Sequence, residues 1–166
     1  MPDPSSLALL KETSDGDVFA DNQMTTLSIS VGGMLTFSAR MELELSRLTC
    51  ERFAQRLPFS GRLIQARWSG EAAWIPLGDV GSHFVGLPLE NHTSHPAPGE
   101  ILLYPGGYSE AELLLPYGPT CFSSKVGQLA GNHFLTIIEG REQLAELGRR
   151  VLWTGAQEIV FAARHD

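Results

Sequence analysis

The sequence predicts a mainly β domain, a closed antiparallel β-barrel of about eight strands capped by two helices. Three observations carry that prediction. Apolar and polar residues alternate from Thr26 to Val31 and again from Leu35 to Leu45, on either side of Gly32-Gly33. The 17 Gly and 10 Pro of the 166 residues, about a sixth of the chain, cut the remainder into short segments. Only two stretches repeat apolar residues at helical spacing. Many short strands with so few helices favour closure, because an open sheet leaves its edge N–H and C=O groups unpaired. A β-sandwich is the alternative reading.

In chain order, Leu27, Ile29 and Val31 share one face of the first strand. The second places Leu35, Phe37, Ala39, Met41, Leu43 and Leu45 against Thr36, Ser38, Arg40, Glu42 and Glu44. A period of two across a two-glycine turn, where positive φ is tolerated, is a hairpin signal. Cys50, Phe53, Ala54 and Leu57 then recur at i, i+3, i+4 and i+7, with Ser46 or Thr49 as N-cap and Pro58 as the stop. Arg62 to Trp68 reads as a strand, with Leu63, Gln65 and Arg67 on one face and Ile64, Ala66 and Trp68 on the other. Further short strands are expected at Glu71 to Pro76, His83 to Leu89, Glu100 to Tyr104, Ala111 to Leu115 and His133 to Ile138. A second helix over Arg141 to Val151, aligning Leu144, Leu147 and Val151, and a strand over Gln157 to Ala162 complete the chain.

Size and composition set the class. A chain of 166 residues, 43% hydrophobic, suits one domain with a sizeable core. Residues 1–24 mix Pro, Asp, Ser and Asn with one apolar cluster and read as a tail, mobile or docked on a partner, ahead of a single barrel domain over 25–166. A net charge of −7 opposes binding to nucleic acid or to anionic membranes, both of which call for a basic face. No stretch approaches the roughly 20 apolar residues of a membrane span, and the start of the chain lacks a basic and apolar leader. A cytoplasmic location is the expectation. Cys50 and Cys121 form neither a disulfide framework nor a CxxC motif, and both are expected to be reduced.

The local words Ala66-Arg67-Trp68-Ser69-Gly70-Glu71-Ala72, Glu90-Asn91-His92-Thr93-Ser94 and Leu103-Tyr104-Pro105-Gly106-Gly107 form a set with Tyr108-Ser109-Glu110, Pro116-Tyr117-Gly118 and the run from Ser123 to Phe134. As a set, over roughly residues 26 to 162, they resemble the bacterial DUF3830 family. That resemblance implies a cyclophilin-like barrel and no established function. The order of elements is also similar to cyclophilins, which use an arginine on the barrel face to bind the substrate carbonyl during prolyl isomerisation. Arg67 falls after the first helix, where that arginine would lie. Gln65-Ala66 before it and Trp68-Ser69-Gly70-Glu71 after it depart from the cyclophilin pattern, and pairing of Arg67 with Glu71 is the competing structural reading.

Candidate site residues fall in three places. Arg67, Trp68 and Glu71 follow the first helix. Glu90 to His95 concentrates a carboxylate and two imidazoles, so His92 and His95, with Glu90 or His133, are weak metal candidates. No helix aligns them and no HExxH pattern is present, so a turn in which Asn91, Thr93 and Ser94 bond nearby backbone is the simpler reading. Lys125 is one of only two lysines, in a loop of small residues running through Gln128 to Asn132 and His133. Backbone N–H groups with one ammonium suit a carboxylate or amide oxygen, but GxxxxGK[ST] is absent. Tyr104, Tyr108 and Trp68 are candidate pocket walls and Glu110 a further polar lining residue. Cys121 reads as packed, because a reactive thiolate requires a nearby cation that the sequence does not place.

The leading functional expectation is a barrel that binds a small molecule or peptide carrying a carboxylate or amide, with acid–base or carbonyl chemistry open to Arg67, Glu71, His92, Lys125 and His133. No cofactor is expected. The competing class is a structural or homo-oligomeric accessory protein without catalysis.

Overall fold

The computed structural model describes residues 24–164. All but the last residue of the expected tail lies outside the described residues. The architecture is a closed antiparallel barrel of eight strands. Strands β1 (Thr26–Val31), β2 (Leu35–Met41), β3 (Phe59–Gln65), β4 (Gly70–Pro76), β6 (Glu100–Tyr104), β7 (Glu112–Thr120), β10 (Gly131–Glu139) and β11 (Gln157–Ala163) run in the order β2-β1-β11-β3-β4-β7-β6-β10. Pairing of β10 with β2, Leu135 opposite Met41, closes the ring. The short strand β5 (His92–Thr93) extends the same edge of β10 beyond the end of β2. A separate hairpin, β8 (Ser123–Ser124) and β9 (Gly127–Gln128), stands outside the ring.

The expected alternation fixes the inner face. Leu27, Ile29, Val31, Phe37, Ala39, Leu63, Ile75, Ile101, Leu103, Leu113, Leu115, Leu135, Ile137, Ile159 and Phe161 form one buried interior. Helix α1 (Arg47–Ala54) sends Phe53 into it, edge-on to Phe59, Phe134 and Phe161 with centroids 5.7, 5.1 and 5.3 Å away. Helix α2 (Leu144–Trp153) adds Leu144, Leu147 and Val151. These side chains exclude water from the barrel axis, so its lumen is a core and not a channel.

A second apolar layer lies on the outer face of β4, β7 and β6. Ala72, Leu102, Tyr104 and Leu114 point outward, because they alternate with interior residues. Phe122 and Leu129, carried by the β8–β9 hairpin, cover them. Burial on both faces explains why Ile101 to Tyr104 and Leu113 to Leu115 are unbroken apolar runs.

Several boundaries differ from expectation. Strand β2 stops at Met41. The Glu42 N–H bonds the Phe134 carbonyl and the Ser46 N–H bonds the Glu42 carbonyl, turning the chain into α1 and leaving Leu45 exposed. His83 to Leu89 is not a strand. Gly78–Phe84 forms a 3-10 turn, bracketed by Gly78 and Gly86 with φ of 54° and 86°. Strand β3 ends at Gln65, so Arg67 and Trp68 sit on the β3–β4 turn, closed by an Ala66 N–H to Ala72 carbonyl bond and by Gly70 at φ 102°. Helix α2 begins at Leu144, after a short 3-10 turn over Arg141–Gln143, and runs on to Trp153.

Candidate functional site

A cleft of about 310 Å³ opens on the outer face of the barrel, beside the second apolar layer. Its floor is the outward row of β4 and β7, where Trp74 and Glu112 project. One wall is the β3–β4 turn, Ala66 to Ser69. The other rims are Ser109 and Glu110 of the β6–β7 loop and Ser123 to Lys125 of the β8–β9 hairpin. Of the residues proposed from sequence, Arg67, Trp68, Glu110 and Lys125 line this one cleft.

Backbone and hydroxyl bonds hold the rims. The Ser69 hydroxyl donates to the Ser123 carbonyl at 3.2 Å and accepts the Ser123 N–H at 3.0 Å. The Cys121 N–H bonds the Ser69 carbonyl at 2.9 Å. The turns carrying Arg67 and Lys125 are therefore tied side by side. Tyr104, buried edge-on against Phe122, accepts the N–H groups of Tyr108 at 3.0 Å and Ser109 at 3.4 Å on its hydroxyl. This fixes the loop that presents Glu110, so Tyr104 acts beneath the cleft and not as its wall.

Two polar side chains that line the cleft have no hydrogen-bond partner among the described residues. Trp74 Nε1 is buried with no hydrogen-bond acceptor among the described residues, and an orphaned N–H costs on the order of 1–3 kcal/mol. Glu112 is 9% exposed, and no described residue hydrogen-bonds its carboxyl. Burial, reinforced by repulsion from the Glu110 charge, pushes its pKa up to about 7. Above that pH the floor carries a desolvated negative charge. Arg67 and Lys125, both exposed, make no ion pair among the described residues. Two cations and two acids thus line the same depression.

The remaining proposed residues lie elsewhere. Glu71 turns its carboxylate toward Gly118, whose absent Cβ would stand 2.6 Å from Glu71 Oε2. Gln128 is exposed on β9. Asn91, Asn132 and His133 serve a structural junction with Glu90. Asn132 Nδ2 donates to the Pro88 carbonyl at 2.9 Å and to Thr49 Oγ1 at 3.0 Å, while its Oδ1 accepts the Glu90 N–H at 3.1 Å. Asn91 Nδ2 donates to the His133 carbonyl at 3.1 Å. His133 Nε2 lies 2.7 Å from the Thr136 hydroxyl, which donates to Glu42. That hydroxyl has only one proton, so the imidazole must be the donor. His92 and His95 are exposed, and among the described residues no three His, Cys, Asp or Glu side chains converge as metal ligands.

Sequence reasoning missed Glu112 and Trp74. Their signal was parity: Glu112 shares a face with Leu114 at the start of a strand whose next four residues, Leu113 to Pro116, are apolar, and an acid in such a setting must be either paired or functional.

Among solved structures, McbB in complex with tryptophan is similar, at TM-score 0.65 and 16% identity over 84% of this chain. This chain spans 45% of that one. A hypothetical protein, AF2241 from Archaeoglobus fulgidus, matches at TM-score 0.55 and 14% identity over 84% of this chain and 95% of the other. At these identities the likeness is one of fold. No curated protein matches the chain. The family described as protein of unknown function, DUF3830, matches residues 27–163, nearly all of the barrel, and the chain belongs to that family.

Proposed function

We propose that the outer-face cleft binds a small organic carboxylate or amide. The observation that carries this reading is one cleft rimmed by Arg67 and Lys125, neither of them ion-paired among the described residues. A ligand carboxylate would pair with the cations without the cost of burying them. The volume lies at the small end of the roughly 300–1,000 Å³ typical of ligand pockets, so the occupant is a compact molecule. Trp68 and Trp74 supply flat apolar surface, which favours a ring.

The direct test is NMR titration with 3-phenylpropionate. Shifts confined to the amides of residues 66–69, 74, 109–112 and 123–125, and lost in the R67A/K125A double variant, would support the reading. Shifts spread over the surface, or unaffected by the double variant, would sink it.

The alternative of an oligomeric accessory protein is favoured by a different observation. Trp153 and Met34 are 79% and 70% exposed, and Leu152 is exposed with them. Arg150 Nη1, on the same helix as Trp153, lies 3.5 Å from Met34 Sδ. Apolar side chains exposed in this way mark subunit contacts when they form one patch. Light scattering of the wild type against W153S decides it, with a change in mass expected only under this alternative.

A further inference from the structure

The cleft is not a simple anion site. An anion site would be improved by removing Glu110 and Glu112, yet both acids line the depression that Arg67 and Lys125 rim. Glu112 is the more telling of the two. It is 9% exposed, has no hydrogen-bond donor among the described residues, and lines the cleft. A buried carboxyl without a partner is costly to keep. Its complement is a group that donates hydrogen bonds and carries positive charge. Glu110, on the loop held by the Tyr104 hydroxyl, adds a second negative charge to the lining. The cations come from two turns locked together through Ser69 and Ser123. The depression therefore carries charges of both signs within the span of one small molecule.

Resting on the carboxylate-binding reading above, we infer that the ligand is a zwitterion of amino-acid size, its carboxylate held by Arg67 and Lys125 and its ammonium by Glu112 and Glu110. The apolar surface of Trp68 and Trp74 takes the side chain. The arrangement selects against simple acids, which lack the ammonium and meet Glu112 with repulsion, and against simple amines, which leave the cations unpaired.

The experiment is calorimetric or NMR titration at pH 8 with three matched probes: phenylalanine, 3-phenylpropionate and phenethylamine. Phenylalanine is expected to bind at least about tenfold more tightly than either partial probe, the scale of one charge-assisted hydrogen bond. E112Q and E110Q should each weaken phenylalanine by about tenfold and leave 3-phenylpropionate unweakened. Glu110 is exposed, so E110Q tests the idea even if E112Q alters folding. At pH 5.5, where Glu112 is largely protonated, the preference for phenylalanine over 3-phenylpropionate should shrink. If 3-phenylpropionate binds as well as phenylalanine, or the preference survives both substitutions, the zwitterion inference is overturned and the carboxylate site stands. If no probe binds, both fall.

Discussion

Glu90 caps helix α1 from 41 residues away through Thr49. One carboxylate oxygen accepts the Thr49 N–H at 2.9 Å and the Thr49 hydroxyl at 2.7 Å, and the other accepts the Leu48 N–H at 3.1 Å. Ser46 occupies the N-cap position, as the sequence suggests, but its hydroxyl donates to the His133 carbonyl at 2.7 Å and leaves the helix amides to Glu90. A negative group at a helix N-terminus gains from both the orphan amides and the dipole. Glu90→Ala should therefore cost about 2 kcal/mol in urea denaturation, and Glu90→Gln, which keeps one acceptor, clearly less. Equal loss in both variants would show that the charge, and not the hydrogen bonding, matters.

Helix α2 lies against β7 at Gly148. A Cβ there would stand 2.3 Å from the Tyr117 ring, whose hydroxyl donates to Gln65 Oε1 at 2.6 Å. In an isolated helix, Gly→Ala is favourable by about 1 kcal/mol. Here the sign should reverse: Gly148→Ala displaces Tyr117, breaks the Gln65 bond and destabilises by about 1–3 kcal/mol. Pairing it with Tyr117→Ala should recover part of the loss, a coupling readable in a double-mutant cycle.

The two cysteines should separate by reactivity. Cys50 is fully buried, and burial together with the nearby Glu90 and Glu42 charges pushes its thiol pKa up to about 12. Cys121 is half-buried at the foot of the hairpin. Titration with a thiol reagent should label Cys121 in the folded protein and Cys50 only at the rate of opening. Rapid labelling of both would mean that α1 detaches readily.

How far these relationships were legible depends on whether they are local. The β1–β2 hairpin was readable to the residue, with Ile29 opposite Phe37 and Val31 opposite Leu35, because alternation and the Gly32-Gly33 turn are written in adjacent positions. The same alternation ran on into Leu43 and Leu45 because its stop signal, the Phe134 carbonyl, arrives from β10. Arg67, Trp68, Glu110 and Lys125 stood out as polar or aromatic residues in Gly- and Ser-rich turns, and the fold brings them together. His92, Asn132 and His133 looked equally suggestive, but Asn132 and His133 are occupied by a junction between α1, β5 and β10 that one-dimensional spacing does not reveal. Glu112 and Trp74 gain their meaning only when the β8–β9 hairpin folds over the outer face. That second layer was foreshadowed solely by the unbroken apolar runs of β6 and β7.

The Glu112 carboxyl should leave a signature in stability even without a ligand. Its folded pKa, about 7, exceeds the ordinary carboxylate value of 4.5 because burial and Glu110 disfavour the ion. The folded state therefore holds the proton more tightly than the unfolded state. Below pH 4.5 both states are protonated and the group contributes no penalty. Between 4.5 and 7 the unfolded chain ionises first, so stability falls as pH rises, and above 7 the loss levels off. The full loss is on the order of 3 kcal/mol. Glu112→Gln removes the titration and should match the wild type near pH 4.5 while exceeding it by up to that amount at pH 8, as read from urea midpoints of the two proteins. The charge that acts on it is Glu110. Glu110→Gln should therefore flatten part of the same slope, and an added zwitterion should restore wild-type stability at pH 8 by pairing with the ionised carboxylate. A pH profile identical in wild type and Glu112→Gln would mean that the carboxyl is solvated, and that the floor of the cleft is wetter than its burial implies.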